Sequence, residues 1–342
     1  MMTALLRSAA PPERWRAIVS TPFQQSGFGQ AMGTMGYRPI YLSSGERGAL
    51  ALLRGGSPGL RRMTGRANVF VGDVGPEFVG SVLESLRRWG IPYVKVGDTM
   101  SGVRWGRLPG DWPFPRTRLV PRHTFTLDLG RSEQALLGSM EGAERKIRKA
   151  EREGVVVRPV ETPEHLQAFC GLSRQTSERV RSRTAYTDFP DAFFETLHRH
   201  LAPSGVARFY VAWFEEEPVA GCLFLCSPDT MLYYLGGSTR DRLLTAKQAP
   251  AAVFWHAIRE AKALGLSRFD LGGCTPTDDA SDPRYGVYAF KKRWGGHLEE
   301  FYNLEVVLSP VSFYLQERML APLWDRIHPL YFRLMNLPKA RP

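Results

Sequence analysis

Two stretches carry most of the information in this chain: Phe269-Asp-Leu-Gly-Gly273 and Tyr285-Gly-Val-Tyr-Ala-Phe-Lys-Lys-Arg-Trp-Gly-Gly-His297. The first is a short apolar strand that contains one acid and ends in glycines. The second combines aromatic residues with three consecutive cations, Lys291, Lys292 and Arg293. Because exposed cations and core aromatics normally lie on opposite faces of an element, this mixture is not typical of a purely structural segment. The pattern predicts a cleft that binds an anionic or carbonyl-bearing group.

The chain has 342 residues, of which 43% are hydrophobic and 23% charged, and a net charge of +11. This length predicts two domains of roughly 150 residues in a globular protein. Residues 1–155 hold 23 Lys and Arg against 13 Asp and Glu, whereas the rest of the chain holds 22 against 21. The basic first part favours an acidic partner, and charge alone leaves nucleic acid, a phosphorylated small molecule and an anionic membrane surface open.

Cysteine and histidine usage indicates neither a metal site nor a disulfide framework. The four cysteines include no Cys-x-x-Cys pair, and the seven histidines show no metal-ligand spacing with carboxylates, so we expect reduced thiols and no metal. No apolar run approaches the roughly 18 residues of a membrane-spanning helix. The first ten residues lack the apolar segment of a signal peptide. These features predict a cytoplasmic protein.

Hydrophobic periodicity and turn residues predict the same order of elements twice. The first unit comprises strands over 39–42, 49–53 and 69–71, a helix over 76–89 and a strand over 93–96. The second comprises strands over 206–214, 219–226 and 231–235, a helix, and a strand over 269–271. Thr245 and Gln248 resemble a capping box at the start of that second helix. The repeat, which is one of element order, predicts two similarly built halves.

A single helix is predicted over Ser132 to Gly154, between the two units. Its second part, Arg145-Lys-Ile-Arg-Lys-Ala-Glu-Arg152, holds five cations and one acid. Like charges three and four residues apart repel each other by a few tenths of a kcal/mol per pair, which favours an anionic partner. A solvated helix face is the alternative.

Several motifs together resemble the FemABX family of aminoacyltransferases. They are Phe23-Gln-Gln-Ser-Gly-Phe28 followed by Gly36-Tyr-Arg-Pro39, then Ser139 to Val155, and then the two stretches quoted at the outset. The resemblance covers about residue 20 to 305. It implies an α/β (α+β) fold of two tandem GNAT-like domains, 1–153 and 154–342, each with a mixed, mainly antiparallel sheet flanked by helices.

The resemblance also implies an activity. Members of this family move an amino acid, here Gly, Ala or Ser, from aminoacyl-tRNA to the side-chain amine of a peptidoglycan precursor, and build interpeptide bridges. The implied partners are aminoacyl-tRNA and either UDP-MurNAc-pentapeptide or lipid II, with no further cofactor. The implied protein is a monomer that acts in the cytoplasm, in part at the inner face of the membrane.

Site residues follow by the same resemblance. Phe290 and Lys291 match the family's Phe-Lys pair at the acyl-transfer centre, where an ammonium can stabilise an oxyanion. Asp270 matches an acid on a strand end, and Tyr234 is preferred to Tyr233 as the residue that faces the cleft. Substrate-phosphate contacts are expected from Arg179, Arg181, Arg183, Lys292 and Arg293, and tRNA contacts from Arg145, Lys146, Arg148, Lys149 and Arg152.

The sequence departs from the family pattern at one position near its start. Met32, or a small neighbour, stands where relatives that act on a nucleotide-linked precursor carry a lysine. The charge that would contact the diphosphate is therefore missing there.

Two other classes of function stay open at this point. An acyl-CoA-dependent GNAT N-acyltransferase, with acetyl-CoA as its donor, shares the fold, but Gly236 to Thr245 has no glycine near the start of the helix to bind a pyrophosphate. A non-catalytic nucleic-acid or membrane-surface module is the third possibility, because Val306 to Leu337 mixes aromatic residues with arginines.

Overall fold

The structure, a computed structural model, describes residues 5–54, 65–97, 103–180 and 188–315, together with Arg318. The strands in these ranges are β1 (Leu6–Ser8), β2 (Arg38–Ser44), β3 (Arg47–Arg54), β4 (Arg66–Val71), β5 (Tyr93–Val96), β6 (Thr117–Asp128), β7 (Val155–Pro159), β8 (Ala207–Phe214), β9 (Glu217–Cys226), β10 (Thr230–Ser238), β11 (Arg268–Cys274) and β12 (His297–Val307). The helices are α1 (Trp15–Ile18), α2 (Ser26–Gly33), α3 (Pro76–Arg88), α4 (Glu133–Gly138), α5 (Ala143–Arg152), α6 (Pro163–Val180), α7 (Asp191–Leu201), α8 (Arg242–Thr245), α9 (Ala249–Ala263), α10 (Tyr285–Lys292) and α11 (Pro310–Leu315).

These strands form one sheet in the order β1-β2-β3-β4-β5-β12-β6-β11-β10-β9-β8-β7. Two neighbouring pairs, β4 with β5 and β10 with β11, are parallel. The remaining neighbours are antiparallel. The last strand, β12, lies in the middle of the sheet between β5 and β6, so the chain returns to the centre to complete it.

The predicted repeat of elements is confirmed. Each unit is an antiparallel hairpin, a third strand, a helix, and a fourth strand parallel to the third: β2 to β5 around α3, and β8 to β11 around α9. Both hairpins turn through a left-handed residue, Gly45 with φ of 58° and Glu215 with φ of 54°, as tight hairpin loops require. The α/β class with a mixed, mainly antiparallel sheet is therefore correct.

Three hydrophobic clusters fill the two faces of the sheet. Along β3, Leu50 and Leu52 point to one face and Ala51 to the other, and along β9 Leu223 and Phe224 divide in the same way. The central cluster, between the two units, includes Trp15, Phe23, Phe28, Leu50, Leu52, Phe70, Phe169, Phe193, Phe194, Leu223 and Leu232. The first-unit cluster lies under α3, and the second-unit cluster lies under α5, α9 and α10. The central cluster is therefore built from one sheet face of each unit.

Two local predictions were wrong. The single helix over 132–154 is instead α4 and α5, because Gly142 adopts φ of 80° and interrupts the ladder. The proposed capping box is absent: Gln248 itself is left-handed with φ of 62° and makes no side-chain cap. The side chain that caps a helix nearby is Asp241, which accepts from the N–H groups of Leu243 and Leu244 at the start of α8.

Two features are absent from the described residues. None of their helices has both the length and the apolar character needed to cross a membrane. Nor do their His, Cys, Asp and Glu side chains assemble into a group of three or more that could hold a metal ion. The predicted domain boundary between residues 153 and 154 stays a prediction, and most of the aromatic stretch 306–337 lies outside the described residues.

Candidate active site

The candidate site lies where the parallel strands β10 and β11 separate. The two strands pair from Thr230 and Arg268 as far as Leu232 and Asp270. Beyond this point, each strand pairs irregularly with its other neighbour. The register of β10 against β9 shifts between Tyr233 and Leu235. The register of β11 against β6 shifts between Asp270 and Gly273. A gap therefore opens between the strands next to the acid of the Phe269 to Gly273 motif.

The irregularity in β11 places the side chains of Asp270 and Cys274 on opposite faces of the sheet. It contains Gly272, with φ of 77°, where a Cβ atom would lie only 2.7 Å from the carbonyl oxygen of Tyr233. An extra residue in a strand reverses the alternation of the side chains that follow it. As a result, Asp270 pairs with Thr126, and Cys274 pairs with His123 on the other face.

Lys291 fills the gap from the side of α10. Its side chain is only 6% exposed, and its Nζ donates to the carbonyl oxygen of Gly273 at 2.8 Å. The ring of Tyr233 lies 5.8 Å from the same nitrogen. Burial lowers the pKa of Lys291 to about 8, against the opposing attraction of Cys274 and Asp270. The ammonium thus lies inside the protein at the strand gap and not in bulk solvent.

Asp270 lies on the opposite side of the gap and is 5% exposed. Its Oδ1 accepts from the Thr124 hydroxyl and from the Gly272 N–H at 2.7 Å. Burial raises the pKa of Asp270 to about 6, although both hydrogen bonds and the Lys291 charge lower it. A carboxyl group with this pKa can accept a proton near neutral pH.

A cleft of about 370 Å³ opens onto Asp270 and Thr124 between the two units. Residues from the first unit, including Asp73, face residues from the second, including Asp229. The charged side chains of its walls are Asp73, Arg104, Asp229, Arg268, Asp270 and Glu299. Glu300 also borders the cleft, but its carboxylate turns to His123 on the other face of the sheet. Acids therefore outnumber arginines in this wall, and we call this space the acidic cleft.

A second cavity, of about 180 Å³, lies next to Phe290 among α5, α9 and α10. Two cations, Lys146 and Arg293, line it together with Trp294 and Gln248. Burial lowers the pKa of Lys146, and the nearby charges of Arg293 and Arg145 lower it further. Because Lys146 and Arg293 bring like charges together in this cavity, an anion bound between them would be stabilised. We call this space the basic cavity.

Not all of the predicted site residues come together. Phe290 and Arg293 line the basic cavity, whereas Lys292 is exposed and lies over the ring of Tyr288. Arg179 reaches Ser238, another residue of the basic cavity, with its Nη2 at 3.1 Å. The other two arginines of that prediction, 181 and 183, lie outside the described residues. Met32 is buried in the central cluster.

The predicted tRNA-binding cations all belong to α5. Arg145, Lys146, Arg148, Lys149 and Arg152 border an open depression of about 560 Å³ with Glu144 and Gln248. Arg148 is already paired with Glu144 at 2.6 Å. The helix buries Ala143, Ile147 and Ala150, so its cations lie toward the outside, except that Lys146 also lines the basic cavity.

Two site residues differ from the sequence-based choice or were missed. Tyr234, preferred from the sequence, packs in the central cluster against Phe23 and Phe28, and it is Tyr233 that lies beside Lys291. Thr124 was not identified, because an isolated threonine on a distant strand carries no local signal. Its register opposite Gly273 is visible only once β6 and β11 are paired.

Comparison with known proteins confirms the type of fold. Residues 139–292 match the family model of the acetyltransferase (GNAT) domain. The structure of FemX is similar at a TM-score of 0.65 with 16% sequence identity, covering 92% of this chain and 99% of that chain. No curated protein matches the chain by sequence.

Two further solved structures are similar over most of the chain. The C-terminal domain of a proposed lysylphosphatidylglycerol synthetase from Agrobacterium fabrum is similar at a TM-score of 0.60, with 15% identity over 92% of this chain and 95% of that chain. L-PGS from Bacillus licheniformis is similar at 0.56, with 15% identity over 92% and 97%. Residues 139–292 thus form a GNAT-type domain, which supports an acyltransferase, and the chain as a whole has a FemX-like fold.

Proposed function

We propose that this protein transfers an amino acid from aminoacyl-tRNA to the side-chain amine of a peptidoglycan precursor. The observation that carries the proposal is the placement of Lys291 in the gap between β10 and β11, with Asp270 on the other side. Both groups are held by backbone contacts, so neither has to reorganise when charge develops on a bound substrate.

The proposed chemistry is aminolysis of an ester that is already activated. The acceptor nitrogen attacks the ester carbonyl carbon, a C–N bond forms, and the carbonyl oxygen becomes an oxyanion beside the Lys291 ammonium. Asp270 accepts the proton that the nitrogen loses. The C–O bond then breaks, and the ribose oxygen leaves as a hydroxyl with the proton that Asp270 accepted. Positioning supplies most of the acceleration, because the ester is a good acyl donor.

The acidic cleft suits an acceptor that carries an amine. Asp73 and Asp229 lie on its two walls and Asp270 at its base. A protonated amine is attracted by such a wall, and it attacks after it has lost its extra proton to solvent. The nucleotide-linked precursor UDP-MurNAc-pentapeptide and the membrane-bound lipid II both carry such an amine. With either acceptor, the proposed reaction takes place in the cytoplasm, at the inner face of the membrane for the lipid.

The basic cavity and α5 suit a polyanionic donor. Lys146 and Arg293 would bind a phosphate close to Phe290, and the outward cations of α5 would contact further phosphates along the same strand of RNA. The partly exposed Phe290 ring adds apolar surface for a nucleobase.

The alternative donor, acetyl-CoA, is favoured by the description of the matching family model. Pyrophosphate binding at a helix start depends on free backbone N–H groups. The start of α9 has Pro250 in its first two positions, and proline has no N–H to donate. We therefore place acetyl-CoA second.

Mass spectrometry of the reaction product tests the assignment. The protein is incubated with UDP-MurNAc-pentapeptide or lipid II, and with either charged tRNA or acetyl-CoA. A gain of one glycyl, alanyl or seryl residue on the precursor supports the proposal. A gain of one acetyl group, or no gain with any aminoacyl-tRNA, would refute it.

Salt dependence tests the role of α5 in donor binding. Replacement of Lys149 or Arg152 by Gln should weaken tRNA binding and reduce the slope of log K against log salt by about one for each phosphate that the variant no longer neutralises. Arg148→Gln is the matched control, because Arg148 is held by Glu144 and should change the slope less. Equal slopes for all three variants and the wild type would contradict a role for this helix.

A further inference from the structure

Cys274 stands beside the candidate site on the face of the sheet that Lys291 occupies. It follows Gly273, whose carbonyl oxygen holds the Lys291 ammonium at 2.8 Å. The extra residue in β11 at Gly272 is what turns Cys274 to this face. Without that irregularity the thiol would point into the acidic cleft with Asp270.

A histidine and an acid lie beside Cys274 on the same face of the sheet, one on each of the next two strands. Cys274 is directly opposite His123 on β6, and His123 is directly opposite Glu300 on β12. Directly opposed residues of antiparallel strands share a face, with Cβ atoms about 5 Å apart. The His123 Nε2 atom lies 3.3 Å from Glu300 Oε2, and Glu300 also accepts from the Tyr302 hydroxyl.

The thiol, the imidazole and the carboxylate therefore have the order of a nucleophile, its base and the group that orients the base. Because the Nε2 atom of His123 faces the Glu300 carboxylate, Nδ1 is the atom left to accept the thiol proton. The site is open to a ligand, since the Cys274 and His123 side chains are both partly exposed. Burial raises the pKa of the Cys274 thiol, and the charge of Lys291 opposes that rise.

We propose that Cys274 accepts the acyl group transiently, as a thioester, before the acceptor amine receives it. This inference rests on the proposed function and adds a covalent intermediate to it. Cys274 and His123 act as catalytic residues, and Glu300 acts as a positioning residue through His123.

The two half-reactions balance as follows. His123 takes the thiol proton, the thiolate sulfur bonds to the ester carbonyl carbon, the C–O bond breaks, and the ribose hydroxyl leaves with the proton from His123. The acceptor nitrogen then attacks the thioester, a C–N bond forms and the C–S bond breaks. His123 takes the proton from nitrogen and passes it to the released thiolate. The Lys291 ammonium stabilises the oxyanion in both halves.

Intact-protein mass spectrometry provides the test, and it needs no variant for its main readout. Wild-type protein is mixed with a slight excess of charged tRNA without acceptor, quenched in acid and weighed, and the modified peptide is mapped. We expect a gain of one aminoacyl residue on the peptide that contains Cys274, and its release by neutral hydroxylamine, which cleaves thioesters. Cys274→Ala should lose the adduct, whereas Cys226→Ala, another partly buried thiol, should keep it.

The flanking residues have separate readouts. His123→Gln should slow adduct formation by about a hundredfold. Glu300→Gln should slow it without lowering the melting temperature or the final amount of adduct, and Glu300→Asp should restore part of the rate.

Product formation with acceptor present is measured in parallel, so that the two proposals can fail separately. Product in a single turnover without any adduct, or full activity of Cys274→Ala, would show direct transfer and overturn the thioester while leaving the proposed function intact. Absence of both product and adduct would overturn both.

Discussion

At the scale of single residues, burial brings two ionisable groups close to the same pH. Water is excluded from both Lys291 and Asp270, and the loss of solvation disfavours the charged form of each. The pKa of Lys291 falls to about 8, and that of Asp270 rises to about 6. The charged lysine and the charged aspartate therefore coexist over a limited pH range, which is the state that the proposed chemistry requires.

A bell-shaped pH profile follows. We expect the single-turnover rate to rise as Asp270 loses its proton near pH 6 and to fall as Lys291 loses its proton near pH 8, with an optimum at about 7. Asp270→Asn should remove the acidic limb and lower the rate by about a hundredfold. Rates measured from pH 5 to 10 with a fixed donor concentration would check this. A rate that is flat across that range would contradict the assignment of both groups.

The buried lysine should also affect stability with a definite sign. Its pKa is about 8 in the folded protein and 10.5 ordinarily, so between these values the unfolded chain binds more protons. The free energy of unfolding should therefore rise with pH over this range, by about 3 kcal/mol relative to Lys291→Met. Urea titrations at pH 7.5 and pH 10 would measure the difference. The exposed neighbour serves as the control, since Lys292→Met should track the wild type, and equal behaviour of the two variants would count against burial of the Lys291 charge.

At the scale of elements, the irregular turn of β11 matters more than the regular strand. Gly272 is left-handed, and its missing side chain leaves room for the Tyr233 carbonyl and for Lys291 Nζ, which a Cβ would approach to 3.2 Å. No other residue type meets both demands without strain. The gap between β10 and β11 therefore depends on one glycine.

Gly272→Ala should consequently cost about 1–2 kcal/mol in backbone strain alone and abolish most of the activity by displacing Lys291. Gly286→Ala is the matched control, because Gly286 lies in α10 with nothing within 4 Å of a Cβ. That change should be neutral or stabilise by about 0.4–1 kcal/mol. Thermal melts and single-turnover rates of both variants would decide. Wild-type activity in Gly272→Ala would show that the gap does not need this backbone shape.

Elements with strong local patterns were the ones that the sequence predicted well. The alternation of β5 and the apolar stripe of α3 depend on nearest neighbours, and both elements were predicted to within a residue. The break at Gly142 was missed because the apolar stripe of Met140, Ala143 and Ile147 continues across it. A hydrophobic stripe reports which side is buried and says little about a single left-handed residue.

The motifs of the site could be predicted from the sequence, but the strand pairing that brings its residues together could not. The stretches that hold Lys291 and Asp270 were identified because an acid and cations among apolar residues violate the usual sorting of side chains, and the FemABX resemblance singled out these two residues. The preference for Tyr234 assumed that side chains alternate regularly between the two faces of β10. Because β10 is irregular at this point, alternation does not show which of the two tyrosines faces the site. Thr124 and His123 required the pairing of β6 with β11 and β12, which joins residues more than a hundred positions apart.

At the scale of the whole molecule, the two units share one core. Phe28 is 1% exposed and contacts Phe23 and Phe70 of the first unit and Tyr234 of the second, with ring centroids 5.1, 5.6 and 6.2 Å away. The acidic cleft lies between the same two units. Its width is therefore fixed by packing between them.

Phe28→Ala should destabilise the protein by about 3–5 kcal/mol. Because the central cluster joins the units, amide protons of β3 and of β9 should lose hydrogen-exchange protection together. Leu243→Ala, at a residue that is 80% exposed, should change stability by less than about 0.5 kcal/mol. Loss of protection in β3 alone would mean that the units unfold independently.

The position of β12 has a consequence for synthesis on the ribosome. This strand, His297–Val307, pairs with β5 on one side and β6 on the other. Until β12 has been synthesised, β5 and β6 of the nascent chain each have a strand edge that lacks its hydrogen-bonding partner. Such exposed edges readily pair with other chains. Premature termination anywhere before residue 297 should thus yield an inactive polypeptide that depends on chaperones or is degraded, and translation speed over the final stretch should influence the yield of native protein.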